Sequence, residues 1–168
     1  MASPDAKAAG PGTALALPVP GLEPLCDLVV TLGTPMELGD GPRGRRRIIP
    51  ITGGSVRGPR LNGRILSLGA DWQTVFADGT AELDTRYAIE TDDGALIDIR
   101  NFGYRHGPAD VLAALARGEP VDPARYVMRT HPRFETGDPR YAWLNRVIAV
   151  ATGAREAAAV RVSVYQVL

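Results

Sequence analysis

The chain of 168 residues contains one cysteine, Cys26, and one lysine, Lys7, and these scarcities exclude several classes of protein. A single thiol cannot form an internal disulfide framework, which favours a reducing compartment. No segment approaches the roughly 20 consecutive apolar residues that a membrane-spanning helix needs. The first residues also lack the basic and apolar regions of a secretory signal. We therefore predict a cytoplasmic protein with no membrane partner.

The chain also has no net charge and few metal ligands. Its 19 basic residues balance 19 acidic ones, so no overall field attracts nucleic acid. The local basic cluster of Arg43, Arg45, Arg46 and Arg47 lacks interleaved aromatic residues and is interpreted as a solvated strand face or as salt-bridge partners. The two histidines, His106 and His131, are far from each other and from Cys26, without metal-ligand spacing. We predict no nucleic-acid partner, no metal and no cofactor.

Two regions differ in composition. Residues 1–24 are rich in Ala, Gly and Pro, with five prolines that prevent a continuous helix, and we interpret them as a flexible or extended arm. Residues 25–168 have the apolar fraction and length of a single domain with its own core. The sequence therefore predicts one domain of residues 25–168 preceded by an arm.

The pattern of that domain is mostly β. The dipeptides Asp78-Gly79 and Asp93-Gly94 separate alternating runs and are good hairpin signals. Residues 34–44 are predicted to be a loop, and Pro108–Arg117 the only convincing helix, with Gly118 following its end. Many short strands and one helix favour an antiparallel barrel or a sandwich. The predicted strands are 25–32, 46–51, 54–56, 63–68, 73–76, 81–91, 95–102, 126–130, 143–152 and 159–167.

A series of short motifs follows one another in order from Leu25 to the end of the chain. They are the segments 44–54, 58–63, 69–73, 78–79, 86–87, 92–94, 129–130, 133–137 and 141–145, and Tyr165 with its preceding valine. This series resembles one bacterial and fungal family, domain of unknown function 3237, also catalogued as uncharacterised protein family 0311. The resemblance implies a single-domain, up-and-down β-barrel of lipocalin-like or streptavidin-like shape, and it implies no particular reaction.

Polar residues on the predicted strands are candidates for a binding cavity. Glu82, Asp84 and Arg86 alternate on one face of their strand, which either lines a cavity or is solvated. Asp71 follows Gly69 in a predicted turn. It is either a turn cap or an acid/base group whose pKa an apolar pocket would raise.

An arginine opposite Asp71 could bind an anion or stabilise an oxyanion, and Arg129 and Arg86 are the candidates for this role. Trp72 and Trp143 are either walls of a pocket or core residues. The remaining candidates for substrate binding are Asn101, Glu135 and Asn145.

Three functions of different classes fit these observations. The first is a cofactor-free enzyme for isomerisation, cyclisation or addition–elimination on a small carbonyl-containing metabolite, such as a natural-product intermediate. The alternative is a non-catalytic barrel that carries a small hydrophobic ligand. The third is a structural subunit with a filled interior. Exchange of the proline-rich arm between subunits makes a homodimer plausible.

Overall fold

A computed structural model describes residues 16–168, which form nine strands and one α-helix. Two short 3₁₀ segments, Pro123–Arg125 and Pro139–Arg146, lie on either side of β7. The strands are β1 (Leu22–Leu32), β2 (Met36–Gly41), β3 (Gly44–Arg57), β4 (Gly63–Val75), β5 (Ala81–Thr91), β6 (Leu96–His106), β7 (Val127–Glu135), β8 (Ala149–Arg155) and β9 (Ala159–Val167), and the helix is α1 (Ala109–Ala116).

Eight of the strands form a closed antiparallel barrel. Each strand from β3 to β8 pairs with the next in the sequence, and β1 pairs with both β9 and β3, which closes the ring. β2 pairs only with β3 and lies outside the ring. The predicted up-and-down barrel is therefore confirmed, and the sandwich alternative is wrong.

Alternation along the strands fills the barrel with two apolar clusters. On β6, Ile97 and Ile99 are fully buried whereas Leu96 is 61% exposed, so one face of the strand points inward. The larger cluster includes both isoleucines and extends to Leu144 of the second 3₁₀ segment. The smaller cluster joins Leu115 of α1 to β5 and β7.

Several predicted strand boundaries are wrong, because local turn signals were interpreted as the ends of strands. The predicted loop 34–44 contains β2, and the predicted turn at 69–72 lies within the continuous strand β4. Register shifts in β3 and β4 accommodate the glycines that had indicated breaks. The predicted strand 143–152 is wrong over its first part, because Asp138 caps a 3₁₀ segment there and β8 begins at Ala149.

Other boundaries agree closely with the sequence prediction. β5 and β9 have the predicted bounds, and α1 lies within the predicted helix 108–117. Both predicted hairpin turns connect consecutive strands of the barrel, β4 to β5 and β5 to β6. Of the predicted arm, residues 1–15 lie outside the described residues, and Leu22–Pro24 belong to β1.

The closure of the barrel between β1 and β3 depends on Gly54. Its φ is +142°, and a Cβ atom there would overlap the backbone carbonyl oxygen of Val29 in β1. We expect Gly54→Ala to lower the free energy of unfolding by about 3 kcal/mol or more, measured by urea denaturation. Gly94→Ala is the control, since Gly94 has a φ of +87° but no atom within 4 Å of the added Cβ. Gly94→Ala should lower the free energy of unfolding by about 1–2 kcal/mol. Equal losses of stability in the two variants would contradict the close approach of Gly54 to the backbone of Val29.

Candidate functional site

A cavity inside the barrel lies where the two apolar clusters meet. The centres of water molecules can occupy about 40 Å³ of this cavity, so it has room for a few water molecules or a small chemical group. Apolar side chains from several strands form part of its wall, and polar side chains form the rest. The polar lining residues are Asp71, Gln73, Thr85, Tyr87, Asn101, Arg105, Thr130 and Arg155.

Strand register brings the polar groups together. Asp71 on β4 pairs with Thr85 on β5, and Thr85 pairs with Asn101 on β6, so these three residues form a row across adjacent strands. Two further polar residues share their inward faces. Gln73 is two positions beyond Asp71, and Arg105 is four positions beyond Asn101. The site is therefore built on rigid strands.

Asp71 accepts hydrogen bonds on both carboxyl oxygens. The backbone N–H of Asp84 donates to Oδ1 at 3.1 Å, and Nε2 of Gln73 donates to Oδ2 at 2.5 Å. The Gln73 amide is oriented by Arg47, whose Nε donates to Oε1 of Gln73 at 2.9 Å. Because a guanidinium can only donate, the amide nitrogen of Gln73 must face Asp71. These contacts orient the carboxyl group in its ionised form.

Burial opposes that ionised form. Asp71 is 8% exposed, and its burial raises the pKa of the carboxyl group above its usual range. Hydrogen bonds from Gln73, Thr85 and Asp84, and the charge of Arg105, act in the opposite direction but do not cancel the effect of burial. The carboxylate is consequently a stronger base than that of an exposed aspartate.

Arg105 places a second ionisable group in the cavity wall. It is also 8% exposed, and burial lowers its pKa to about 10, with further lowering by the charges of Arg47 and Arg155. The guanidinium therefore remains protonated at neutral pH. Asp71 and the hydroxyl of Tyr126 are the groups that favour this charge.

Four buried polar side-chain atoms in the described part of the chain have no hydrogen-bond partner, and the residues that bear them all line the cavity. Unpartnered buried polar groups are rare and costly, so their concentration at one place indicates a site that binds a polar ligand or water. Burial also raises the pKa of Tyr87, whose hydroxyl stays neutral. The atoms are Tyr87 OH, Asn101 Oδ1, Arg105 Nε and Thr130 Oγ1.

Of the residues predicted for the site, Asp71 and Asn101 line the cavity. The predicted location of Arg86, Arg129 and Glu135 is wrong, since all three are exposed and alternate with inward-facing neighbours on β5 and β7. On the face of β5 that carries Arg86, Asp84 and Arg86 are exposed, whereas Glu82 is 8% exposed and accepts a hydrogen bond of 2.8 Å from Arg43. The arginines that line the cavity together with Asp71 are Arg105 and Arg155.

The other three predicted residues also lie outside the cavity. Trp72 is half-buried and follows the inward-facing Asp71, so it belongs to the outer face of β4. Trp143 packs against the larger apolar cluster, and the guanidinium carbon of Arg60 lies 3.7 Å from its ring centroid. Asn145 exchanges two hydrogen bonds of 2.9 Å with the backbone of Thr136.

Asn145 therefore has a structural role. We expect Asn145→Ala to lower the free energy of unfolding by about 1–2 kcal/mol, because the backbone N–H and C=O of Thr136 lose their side-chain partner. Thermal denaturation of the variant measures this loss. Ligand binding by the folded variant should be unchanged, and a specific loss of binding would instead place Asn145 in the site.

Several residues of the site were missed by sequence reasoning. Arg105 could have been found, because residues 97, 99, 101, 103 and 105 share one face of β6 and two of them are isoleucines. Gln73 shares the face of Asp71 once β4 is read as one strand. Thr130 and Arg155 come from distant strands, and only the closed barrel brings them near Asp71.

Residues 16–168 contain no group of three or more His, Cys, Asp or Glu residues arranged to hold a metal ion. Cys26 is buried, and this burial raises the pKa of its thiol to about 12, which makes it a poor nucleophile. Within the described residues, no helix is both long enough and apolar enough to cross a membrane.

The fold and the site define a closed antiparallel barrel with a polar pocket inside it. The chain belongs to the family described as protein of unknown function (DUF3237), whose model matches residues 20–167. The resemblance seen in the sequence is thus confirmed. A UPF0311 protein of Rhodopseudomonas palustris is 45% identical over 141 residues, which cover 84% of this chain and 92% of the relative.

A solved structure and an enzyme are also among the similar proteins. A beta-barrel like protein from Acinetobacter baumannii is 48% identical, with a TM-score of 0.81 over 91% of this chain and 99% of that one. A protein of Penicillium herquei named as a hydroalkoxylation enzyme is 29% identical over 133 residues. The match covers 79% of this chain and 74% of that enzyme. The wider group of relatives therefore includes a catalyst.

Proposed function

We propose that this protein is an enzyme that catalyses isomerisation, cyclisation or addition–elimination of a small carbonyl-containing compound, with Asp71 as the acid/base group. The proposal is carried by one observation: a buried carboxyl group faces a cavity in which four polar atoms have no partner. Groups of shifted pKa inside a polar pocket are typical of proton-transfer sites.

The proposed chemistry moves one proton between two positions of the substrate. The Asp71 carboxylate removes a proton from a C–H or O–H bond, and the electron pair of that bond forms an enolate or a new C–O bond. Protonated Asp71 then returns the proton to the carbon that has gained electron density or, in an elimination, to the hydroxyl group that leaves as water while its bonding electrons depart with it. Atoms balance without an external reactant, and the donors on Asp71 hold the ionised form in position.

The Penicillium relative supports this class of reaction. Hydroalkoxylation, the activity in its name, adds an O–H group across a carbon–carbon double bond. This addition breaks one O–H bond and forms one C–H and one C–O bond, so a proton must be removed and delivered. A single well-placed acid/base group supplies both steps.

The pH dependence of the reaction should report Asp71. Because the carboxylate is the active form and its pKa is raised, the rate should fall as the pH decreases through a midpoint above the usual aspartate value. Arg47, Arg105 and Arg155 are the charged groups that face Asp71, and all remain protonated in this range. The measurement is kcat/KM against pH for a compound that the protein converts; a midpoint at or below the usual value would contradict this assignment.

Incubation with metabolite extracts, followed by native and denaturing mass spectrometry, tests the proposal. An enzyme of this type should produce a compound of unchanged mass and new retention time, or one lighter by a molecule of water. A stoichiometric ligand that is released unchanged would instead support a carrier barrel and overturn the catalytic proposal. Heat-denatured protein is the control for spontaneous conversion.

A further inference from the structure

We infer that the ligand of the barrel cavity is an organic anion and that Arg105 binds its oxyanion. The inference names the substrate class of the reaction proposed above and rests on that function. It also assigns to Arg105 the anion-binding role for which the sequence had indicated Arg86 and Arg129.

The first observation is the state of Arg105 itself. Its side chain is more than nine-tenths buried, it lines the cavity, and its Nε–H has no hydrogen-bond partner. A buried guanidinium with an unsatisfied donor is costly unless an acceptor is bound to it. An oxyanion satisfies such a donor better than a neutral carbonyl does, because the hydrogen bond is then charge-assisted on both sides.

The second observation is the charge around the cavity. Arg47 and Arg155 are close enough to Arg105 to lower its pKa, and two carboxylates, Asp71 and Glu37, act on these three arginines. No ion pair among residues 16–168 involves any of the three arginines. The site therefore keeps a net positive charge whether Asp71 is ionised or protonated, and this charge favours an anionic ligand.

The third observation is that Arg105 lies between the cavity and the surface. It also lines a groove of about 310 Å³ between α1 and the ends of β3 and β4, where Val75 and Leu112 supply apolar surface. The interior cavity alone holds only a small group. A ligand that binds Arg105 through its oxyanion can therefore place a reacting group near Asp71 and an apolar body in the groove.

Carboxylates, phenolates and enolates all present an oxyanion to a guanidinium group, and binding experiments distinguish these sources. Calorimetric titration at about pH 8 would use benzoate and 4-nitrophenolate as anions, with benzamide as the neutral counterpart. Wild-type protein should bind at least one of the two anions and bind benzamide about tenfold more weakly or worse. The anion that binds more tightly then shows whether the site prefers a carboxylate or a phenolate. Equal binding of all three compounds would overturn the inference.

Substitutions of Arg105 and Arg129 test which arginine binds the anion. Arg105→Gln should weaken binding of the preferred anion by about 30-fold or more, whereas Arg129→Gln, a charge removed from the outer face, should leave it unchanged. Arg105→Lys keeps the positive charge and should retain part of the affinity that Arg105→Gln loses. This variant keeps the assignment testable if the glutamine variant does not fold. Unchanged binding in folded Arg105→Gln protein would overturn the assignment.

Asp71→Asn separates this inference from the proposed function. Removal of the carboxylate should leave anion binding intact or strengthen it, because a like charge is lost from the cavity. If anions bind through Arg105 while Asp71→Asn protein still converts its substrate at the full rate, the proposed function fails and the anion site remains. If turnover depends on Asp71 but anions do not bind, the anion site fails alone.

Discussion

Asp71→Asn protein is expected to convert its substrate about 10²–10⁴ times more slowly than the wild type, because asparagine cannot accept the proton that the reaction transfers. The substitution is nearly isosteric and keeps the oxygen that accepts from the Asp84 backbone. Its new amide group faces the amide of Gln73, whose orientation Arg47 fixes, so a small loss of stability accompanies the loss of rate. Single-turnover kinetics measures the chemical step directly.

Asp84→Asn is the matched control for this variant. Asp84 is exposed, and only its backbone N–H contacts Asp71, so the substitution removes a nearby carboxylate without changing the site. Its turnover should equal that of the wild type. Equal turnover in all three proteins would show that Asp71 is not the acid/base group.

Ile97→Ala is expected to lower the free energy of unfolding by about 2–5 kcal/mol, because the side chain is fully buried in the larger apolar cluster. For a domain of this size, the midpoint of thermal unfolding should fall by about 10 °C. The neighbouring substitution Leu96→Ala removes a similar volume from a side chain that is 61% exposed, and it should change stability by less than about 0.5 kcal/mol.

This pair of variants tests more than packing. Ile97 shares the inward face of β6 with Asn101 and Arg105, so the contrast between Ile97 and Leu96 reports which face points into the barrel. Similar losses of stability in the two variants would mean that the register of β6 is wrong. In that case Asn101 and Arg105 would not line one cavity.

The barrel was predictable because most of its signals are local. Alternation of apolar residues located β5 and β9, and the glycines at 79 and 94 located two hairpins. The breaks inserted into β3 and β4 were wrong because glycine marks a bulge as readily as a turn, and only pairing with neighbouring strands decides between them. Closure of β1 on β3 is a contact between distant segments that no local pattern reveals.

The site was predictable only in part, for the same reason. Asp71 was chosen as a polar residue of a predicted turn and Asn101 as a polar residue of a predicted strand, and the structure brings both into the cavity. Arg86 was a poor candidate even by alternation, since the apolar residues Leu83 and Tyr87 lie on the opposite face of β5, which is the buried one. Arg155 could not have been chosen, because its contribution depends on strands from the two ends of the chain meeting.

Proton transfer to carbon by Asp71 can be detected by the incorporation of deuterium from the solvent. Wild-type and Asp71→Asn protein would be incubated with a metabolite extract in D₂O, and the products analysed by high-resolution mass spectrometry. Wild-type protein should form a product with deuterium bound to carbon, and the Asp71→Asn variant should form little of it. A ligand recovered from wild-type protein unchanged and without deuterium, or equal incorporation by both proteins, would contradict proton transfer by Asp71.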